Sequence, residues 1–467
     1  MSAALLWIIL PLIFAGVLWV FRSYSKFTMF LGVFLSVFFA ILALTIKIDF
    51  TYLFGNIVFK IEPEMNLLGR AFVLNDSDRA IIFLLYGITA FWLLLGTLFD
   101  SLPAYAGYGL GLVAFLVAGL GAEPFLYAPL FIAMGVFVSV PMLIRLPKRS
   151  GRGDVFYLAF MTLAIPILLL ASWSAASVQS NPLDIELTQR TAVLFFVGFS
   201  LLLSAFPFFI WIPKVAEQFR PARVYFLLSV FPVGAFLIFS EFLVAYPWLR
   251  NAAFLFDALN ISGLVLIVVG GVWTAFQNDA SRMMGYGVVI ENGFLFLALG
   301  SGIESGLPLM ALLILPRLFG LAVWGAAAAI LGDRGTDLSF AKLNGLLWQY
   351  PVVMFGLLFS YFSIGGLPLL GGFPAKVLLI REIVTKREFL DVFWILVGEM
   401  GFIIGGLRLL GTLIGERQGK KMKINENWIE LVFLVAGVLG LFIIGIAPSI
   451  GFDGLLEFFQ SVNYLQF

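Results

Sequence analysis

Lys376 ends the most unusual stretch of this 467-residue chain, the segment 365–376. Two prolines and four glycines interrupt a long apolar run there, and a single lysine follows them. A helix broken at membrane depth is tolerated only where protein packs around it or where it lines a wet cavity. An ammonium group at that depth is costly and by default marks a route for ions or protons. The functional interpretation therefore starts from Lys376.

Four other charged residues inside predicted membrane segments are candidates for a part in such a route. Glu291 lies near mid-depth and can relay protons or pair with Arg317 across helices. Arg317 keeps its proton in proteins, so it is a counter-charge or a structural group. Glu399 is a candidate relay at the outlet, and Glu241 is either a relay or an interfacial residue. Lys376 itself can carry protons, since a desolvated lysine loses charge readily, or it can satisfy carbonyls at the break.

The composition is that of a membrane protein. Hydrophobic residues make up 62% of the chain, charged residues 12%, and the mean hydropathy is +1.06, which predicts an all-α polytopic protein in a lipid bilayer. The chain has no cysteine and no histidine, which excludes disulfides and thiolate-held clusters and removes the commonest haem and metal ligand. We therefore expect no catalytic residue, metal or cofactor in this chain. Basic residues confined to short loops argue against a nucleic-acid partner.

Apolar runs of about 20 residues predict about fourteen transmembrane helices. The predicted spans are 4–21, 27–46, 81–98, 104–121, 125–144, 155–175, 191–212, 224–245, 258–276, 283–301, 305–331, 350–384, 389–413 and 428–448. The first lacks a basic leader and a cleavage site, so it is expected to be retained. Spans 7 and 12 are discontinuous, and the residues expected to break them are Pro207, Pro213, Pro368, Gly371, Gly372 and Pro374.

The two broken spans lie five spans apart, and an odd number predicts two five-helix repeats of inverted orientation. The first repeat is assigned to 104–245 and the second to 258–413. Before them, 1–98 holds three helices and an extramembrane hairpin at about 47–80; after them, 414–467 holds a loop, the last helix and a short tail. Paired broken helices in inverted repeats are typical of transporters whose ion sites lie near the midplane.

Within the hairpin, 57–61 and 70–74 are predicted to be strands around a turn at 63–66. Asp100, Glu123 and Asp257 stand at span ends and are expected to be solvated.

Basic residues predict the orientation in the membrane. Four loops on one side carry most of them, and by the positive-inside rule that side is cytoplasmic, with both termini on the other. These residues are Arg22, Lys26, Arg145, Lys148, Arg149, Arg152, Lys214, Arg220, Arg223, Arg417, Lys420, Lys421 and Lys423.

Four segments resemble motifs of one family, the antiporter-like membrane subunits of respiratory complex I, of cation/proton antiporter complexes and of membrane-bound hydrogenases. Residues 366–376 are similar to the family's GIPPLAGFxxK on broken helix twelve, and 207–213 to PFHxWLP on helix seven. Residues 279–286 are similar to DxKRLLAYSS, and 69–74 fit the hairpin that enters helix three. The likeness covers about 55–415 and implies fourteen helices.

The resemblance implies a chain of buried lysines, glutamates and histidines along the midplane that passes protons in response to redox work in partner subunits. Of those groups only the helix-twelve lysine, Lys376, is retained, while the helix-ten histidine is replaced by Glu291. At the other positions the family's polar residues are replaced, on helices five, seven, eight and eleven, by Val136, Leu202, Phe209, Pro232, Pro316 and Gly320.

The leading hypothesis is therefore a proton-translocating membrane subunit of a complex I-like or hydrogenase-type redox complex. Other membrane subunits would be its partners and would hold any quinone or hydrogenase site, and the chain would reside in a prokaryotic cytoplasmic membrane. A degenerate, non-conducting scaffold of such a complex is one alternative, which the apolar replacements favour. An independent secondary cation/proton antiporter is the other.

Overall fold

The computed structural model of the chain is largely helical, with a little β-structure at one end. It describes residues 2–54, 57–67, 69–100, 105–146, 149–181, 184–250, 252–415, 425–449 and 452. A short π-helix, Leu5–Ile9, precedes the first α-helix. The α-helices of the described ranges are α1 (Leu10–Val20), α2 (Ser25–Thr45), α3 (Arg79–Phe99), α4 (Ala106–Gly121), α5 (Ala128–Ser139), α6 (Gly153–Ser180), α7 (Ile185–Leu202), α8 (Trp211–Gln218), α9 (Pro221–Ala245), α10 (Pro247–Arg250), α11 (Ala253–Ala275), α12 (Ala280–Gly300), α13 (Ile303–Asp333), α14 (Phe340–Leu343), α15 (Pro351–Ile364), α16 (Gly372–Thr385), α17 (Phe389–Ile414) and α18 (Trp428–Ile446).

Every predicted span coincides with one of these helices or with a broken pair of them. Within the described ranges, 11 helices are long and apolar enough to cross a membrane, or up to 12 if Phe340–Trp348 and Pro351–Ile364, bent by 117°, form one span. Leu5–Val20 and Ala106–Gly121 are apolar but shorter. The prediction of an all-α polytopic membrane protein is confirmed, and the number fourteen stays a prediction.

Helix α12 lies at the centre of the bundle. Its apolar part is buried throughout, and it packs against α8, α11, α13 and α17. A membrane helix that is covered on all sides by protein can carry polar side chains without exposing them to lipid. Glu291 and Asn292 occupy such positions in the middle of α12.

Glycines let α11 and α17 approach until their backbones touch. A Cβ atom added at Gly271 would collide with the backbone of Gly398, and one added at Gly401 would collide with Gly271. Small residues at a helix interface allow this close packing in membranes. The contact fixes the position of Glu399, which follows Gly398 on α17.

The segment between α2 and α3 forms two hairpins, so the predicted single hairpin is wrong. Strand β1 (Thr51–Phe54) pairs with β2 (Ile57–Lys60), and β3 (Glu64–Leu67) pairs with β4 (Arg70–Val73). The predicted strands exist, but each pairs with its nearest neighbour in the chain, and the predicted turn is largely β3. Pro63 separates the hairpins because it has no N–H to donate to a ladder. Residues 55–56 and 68 lie outside the described residues.

A short third strand ties this region to the helices. Strand β4 also pairs with β5 (Ala122–Glu123), which lies between α4 and α5, and Ser2 pairs with Glu62. The N-terminal end of the described chain, both hairpins and the α4–α5 connection therefore lie on one side of the bundle.

Candidate functional site

The first predicted helix break, in span 7, is present. Helix α7 ends at Leu202 and α8 begins at Trp211, with Pro207 in the connection. Pro213 is the third residue of α8, in a first turn whose N–H groups lack helical partners in any case. The indole nitrogen of Trp211 donates to Ser204 Oγ at 2.8 Å and so bridges the break.

The second break, in span 12, is also present. Helix α15 ends at Ile364 and α16 begins at Gly372, so Pro368 and Gly371 lie in the connection. Pro374 is in the first turn of α16, where its missing N–H costs little. This break places Lys376 in the second turn of α16 and directs it back toward the end of α15.

Lys376 is buried between two carboxylates. Its Nζ lies 3.2 Å from Oε1 of Glu291 on α12 and 2.8 Å from Oε1 of Glu399 on α17. Nζ also donates to the carbonyl of Ile364, the last residue of α15, and lies 4.2 Å from the centre of the Phe294 ring. An ammonium group has three N–H donors, and these three oxygen atoms match that number. The structure thus brings together three of the predicted site residues.

The arrangement suits proton exchange because one cation faces two acceptors at hydrogen-bond distance. With all three groups ionised, the cluster of Lys376, Glu291 and Glu399 carries a net negative charge. Lys376 and Glu291 are each 4% exposed, and buried ions are stable only when their partners are well placed. Oε2 of Glu399 is buried and faces no hydrogen-bond partner in the described part of the chain.

Arg317 lies beside this cluster and connects three helices. Nη1 donates to Oδ1 of Asn292 at 2.7 Å, and Nη2 donates to the carbonyl of Leu228 at 3.3 Å. Leu228 precedes Pro232 by four residues on α9, and a proline has no N–H for the carbonyl one turn before it. Asn292 in turn donates through Nδ2 to the carbonyl of Leu203 at the end of α7, at 3.4 Å.

The predicted pairing of Glu291 with Arg317 is therefore replaced by two separate contacts. Glu291 pairs with Lys376, and its neighbour Asn292 binds the guanidinium. Glu291 and Asn292 are consecutive on α12 and therefore project about 100° apart around the helix, so their side chains face different neighbours. Asn292 was not predicted as a site residue, and the signal that could have identified it is a polar side chain next to a buried glutamate.

Glu241 does not belong to this cluster. It is half-buried four residues before the end of α9, about 20 Å along the helix from Leu228. The oxygen partners of Lys376 are Ile364, Glu291 and Glu399. A role for Glu241 stays a prediction.

The replaced family positions of the first repeat are buried and apolar. Val136, Leu202 and Phe209 have almost no exposed surface, and Pro232 is buried within α9. Aromatic rings fill the space between α7 and α9: the ring centroids of Phe199 and Phe239 are 4.4 Å apart. At these positions the side chains themselves offer no hydrogen-bonding groups to water.

One buried ion pair was missed by the sequence analysis. Asp100 was expected to be solvated, but its carboxylate lies 2.9 Å from Nε of Arg223, and the two side chains are 4% and 2% exposed. The Arg223 guanidinium also lies 5.1 Å from the centre of the Tyr105 ring. The pair joins the connection after α3 to the start of α9, which are distant in sequence.

A second ion cluster joins the connections on the basic side of the bundle. Arg149 lies 2.9 Å from Glu217 and 3.8 Å from Asp337, and it also pairs with Asp279. Burial opposes the charge of Arg149, but the three carboxylates outweigh it and raise its pKa. The cluster fixes the end of α8 beside the start of α12. Lys148, Arg417, Lys420, Lys421 and Lys423, and the tail 453–467, lie outside the described residues.

No group of three or more acidic, histidine or cysteine side chains in the described ranges could hold a metal ion. Glu291 and Glu399 are both occupied by Lys376.

Curated relatives match parts of the chain. It is 23% identical over 331 residues to the NADH-quinone oxidoreductase subunit N of Azobacteroides pseudotrichonymphae genomovar. CFP2, covering 68% of this chain and 67% of that one. It is 34% identical over 186 residues to the NAD(P)H-quinone oxidoreductase subunit 2 of Synechococcus elongatus, covering 39% of this chain and 35% of that one. The chain thus spans about a third of the second relative.

A solved structure shares the fold over almost the full length. A chain of respiratory complex I from Thermus thermophilus with bound NADH superposes with a TM-score of 0.75 at 19% identity, covering 98% of each chain. The family model described as "NADH:quinone oxidoreductase/Mrp antiporter, TM" matches residues 155–403, which is more than half of the 467 residues. The protein therefore belongs to the NADH:quinone oxidoreductase/Mrp antiporter transmembrane family.

Proposed function

We propose that this chain is a membrane subunit of a complex I-like redox complex and contributes to proton translocation coupled to electron transfer. The observation that carries the proposal is the position of Lys376, buried at a helix break between Glu291 and Glu399. Relatives named as subunits of quinone oxidoreductases support it. The electron-transfer chemistry and its cofactors, with any quinone or hydrogenase site, belong to partner membrane subunits.

Lys376 is proposed as the proton carrier of the relay. Transfer of a proton from Nζ to Glu399 leaves a neutral amine and a neutral acid, so two opposite charges disappear together. The amine then takes a proton from the Glu291 side, and Glu399 releases its proton toward the outlet. Arg317 is proposed as a permanent counter-charge beside the cluster, because it keeps its proton. Glu241 is proposed as a separate relay group on α9.

The chain is proposed to lie in a prokaryotic cytoplasmic membrane with both termini on the non-cytoplasmic side. The ion cluster around Arg149 groups several basic connections on one side, and the pairing of Ser2 with Glu62 supports placing the N-terminus with the hairpins. An excess of basic residues favours the cytoplasmic side. The segments 104–245 and 258–413 are proposed as the two inverted repeats.

The test is proton pumping by the assembled complex in proteoliposomes, measured together with electron transfer. Lys376→Ala is compared with wild type and with Lys386→Ala, a lysine just past the end of α16 that contacts the carbonyl of Ser301. We expect Lys376→Ala to lower the number of protons moved per electron, and Lys386→Ala to leave it unchanged. Unchanged pumping by an intact Lys376→Ala complex would overturn the proposal.

A non-conducting scaffold is the second candidate, and the apolar first repeat favours it. Val136, Leu202 and Phe209 are packed in places where the family carries ionisable groups. In that case the cluster of Lys376, Glu291 and Glu399 has a structural role only, which is to hold α12, α16 and α17 together. Lys376→Ala would then reduce assembly or thermal stability, while the complexes that do assemble would pump normally.

A further inference from the structure

A pocket of about 670 Å³ opens beside the end of α17, on the side of the bundle that carries the Arg149 cluster. Its walls come from α14, the residues after it and the last turns of α17. Phe340, Asn344, Arg408 and Gly411 are among the residues that line it.

Arg408 is the charged group of this pocket, and its partners in the part of the chain that the structure describes are neutral. Its guanidinium donates to the carbonyls of Ala275 and Gln277 and, at 2.7 Å, to Oδ1 of Asn278. These contacts hold it at the end of α11, 5.7 Å from the centre of the Phe340 ring. In the ranges that the structure describes, Arg408 forms no ion pair with a carboxylate. Its side chain is exposed and lines the pocket, so it presents positive charge there.

An apolar strip runs from Arg408 toward the middle of the membrane. Leu407, Ile404 and Met400 are 56%, 48% and 62% exposed, and they lie on successive turns of α17. Residues spaced by three and four positions share one face of a helix. The strip extends about 10 Å along the helix, so it offers an apolar surface to the upper part of a hydrocarbon chain.

The surroundings of the pocket have the character of a membrane interface. The segment Phe340–Trp348 is bent by 117° from α15, so it cannot continue the direction of that span. Trp348 donates to the carbonyl of Ile414 at 2.8 Å, and Trp273 near the end of α11 is largely exposed. Tryptophan is enriched where the hydrocarbon region meets the headgroups.

We propose that this pocket binds the phosphate headgroup of an anionic phospholipid. Arg408 provides the positive charge, the exposed side-chain amide of Asn344 provides an uncharged donor, and one acyl chain lies along Leu407, Ile404 and Met400. Basic pockets on the cytoplasmic side of membrane proteins recognise such headgroups. This lipid site does not include Lys376, so the test of lipid binding is independent of the test of the proton relay.

Gly411 gives the sharpest variant for testing this site. A Cβ atom at Gly411 meets no other atom within 4 Å, and Gly411 lines the pocket, so Gly411→Leu is expected to place its side chain in the pocket. Gly16 on α1 is equally open, so Gly16→Leu is the matched control. Arg408→Gln removes the charge, and Arg22→Gln is its control because Arg22 lies on the same side at the end of α1.

The measurement is competition between phosphatidylglycerol and phosphatidylcholine for the purified, delipidated complex, with retained lipids counted by native mass spectrometry. We expect wild type and both controls to retain one phosphatidylglycerol in preference to phosphatidylcholine. Arg408→Gln should reduce this preference about fivefold, the effect of one basic side chain near a membrane surface. Gly411→Leu should lose the lipid.

Equal retention of the two lipids by wild type would overturn the proposal, as would an unchanged lipid count in Gly411→Leu. A third arm adds inorganic phosphate in excess. If it displaces the lipid completely, the pocket recognises phosphate alone and the role of the apolar strip is wrong.

Discussion

The guanidinium of Arg317 on α13 stands in for the backbone N–H that Pro232 on α9 lacks. The carbonyl of Leu228, one turn before Pro232, would have no helical donor, and it accepts a hydrogen bond from Nη2 of Arg317 at 3.3 Å. Because Nη1 holds Asn292, the same side chain secures α9 to α12. A permanent cation thus occupies the junction between the two predicted repeats.

We expect Arg317→Gln to lower the free energy of unfolding by about 1–3 kcal/mol, since a buried carbonyl loses its donor. Pro232→Ala supplies a backbone N–H for that carbonyl, so the double variant should recover much of the stability. Thermal unfolding of the purified complex measures both effects. If Pro232→Ala recovers nothing in the Arg317→Gln background, then Arg317 does not serve the carbonyl of Leu228.

The same double variant separates the structural role of Arg317 from its charge. In it the carbonyl of Leu228 has a donor again while the positive charge is absent, so a defect in pumping that persists at restored stability reports the charge or the lost contact with Asn292. Arg317→Lys, which keeps a cation at this position, should then pump better than the double variant.

Removing Lys376 alone should be more damaging than removing it with one of its acids. Lys376→Met leaves two buried carboxylates without their cation, and breaking such a pair costs about 3–5 kcal/mol. Adding Glu399→Gln removes one of the uncompensated charges, so the double variant should be more stable than Lys376→Met. Pumping should stay low in both, which distinguishes loss of the relay from loss of the fold. Equal stability of the two variants would show that Lys376 does not neutralise Glu399.

Gly366 makes room for Lys376, and this can be tested with a matched pair of glycines. Gly366 has a φ angle of +62°, and a Cβ atom there would lie 2.9 Å from Cδ of Lys376. Gly335 has a φ angle of +73° but no atom within 4 Å of its Cβ position. Both changes to alanine force a positive φ at a cost of about 1–3 kcal/mol.

We expect only Gly366→Ala to lower the protons pumped per electron, because only it displaces the lysine. Pumping and thermal stability are measured side by side in the reconstituted complex. An equal loss of pumping in Gly335→Ala would mean that backbone strain, and not the position of Lys376, causes the defect.

Both helix breaks and the position of Lys376 could be predicted from sequence because they depend on local chemistry. Proline and glycine clustered within a few residues interrupt a helix, whereas single prolines such as Pro232 lie inside continuous helices. The motif at 366–376 places its lysine just after such a cluster. The polytopic helical class could similarly be predicted, because most of the apolar runs are long enough to be recognised by themselves.

The partners of each charge could not be predicted, because they depend on how the helices are rotated and packed. Glu399 meets Lys376 because Gly271 and Gly398 let α11 and α17 touch, a contact between residues far apart in the chain. The prediction of the strand pairing was wrong for a related reason. The sequence pattern indicated where the strands lie, but it did not indicate which strands pair with each other.

The buried pair of Asp100 and Arg223 gives a test of how much such hidden partners contribute. Each single change, Asp100→Asn or Arg223→Met, leaves one uncompensated charge in the interior and should cost about 3–5 kcal/mol. The double variant leaves none, so it should be clearly more stable than the sum of the single effects implies. The exposed pair of Lys60 and Asp49, 46% and 64% exposed, is the control and should show no measurable coupling. A double-mutant cycle on the complex measures the coupling energy of each pair. Equal coupling energies for the two pairs would mean that Asp100 is solvated, as its position at the end of α3 suggests.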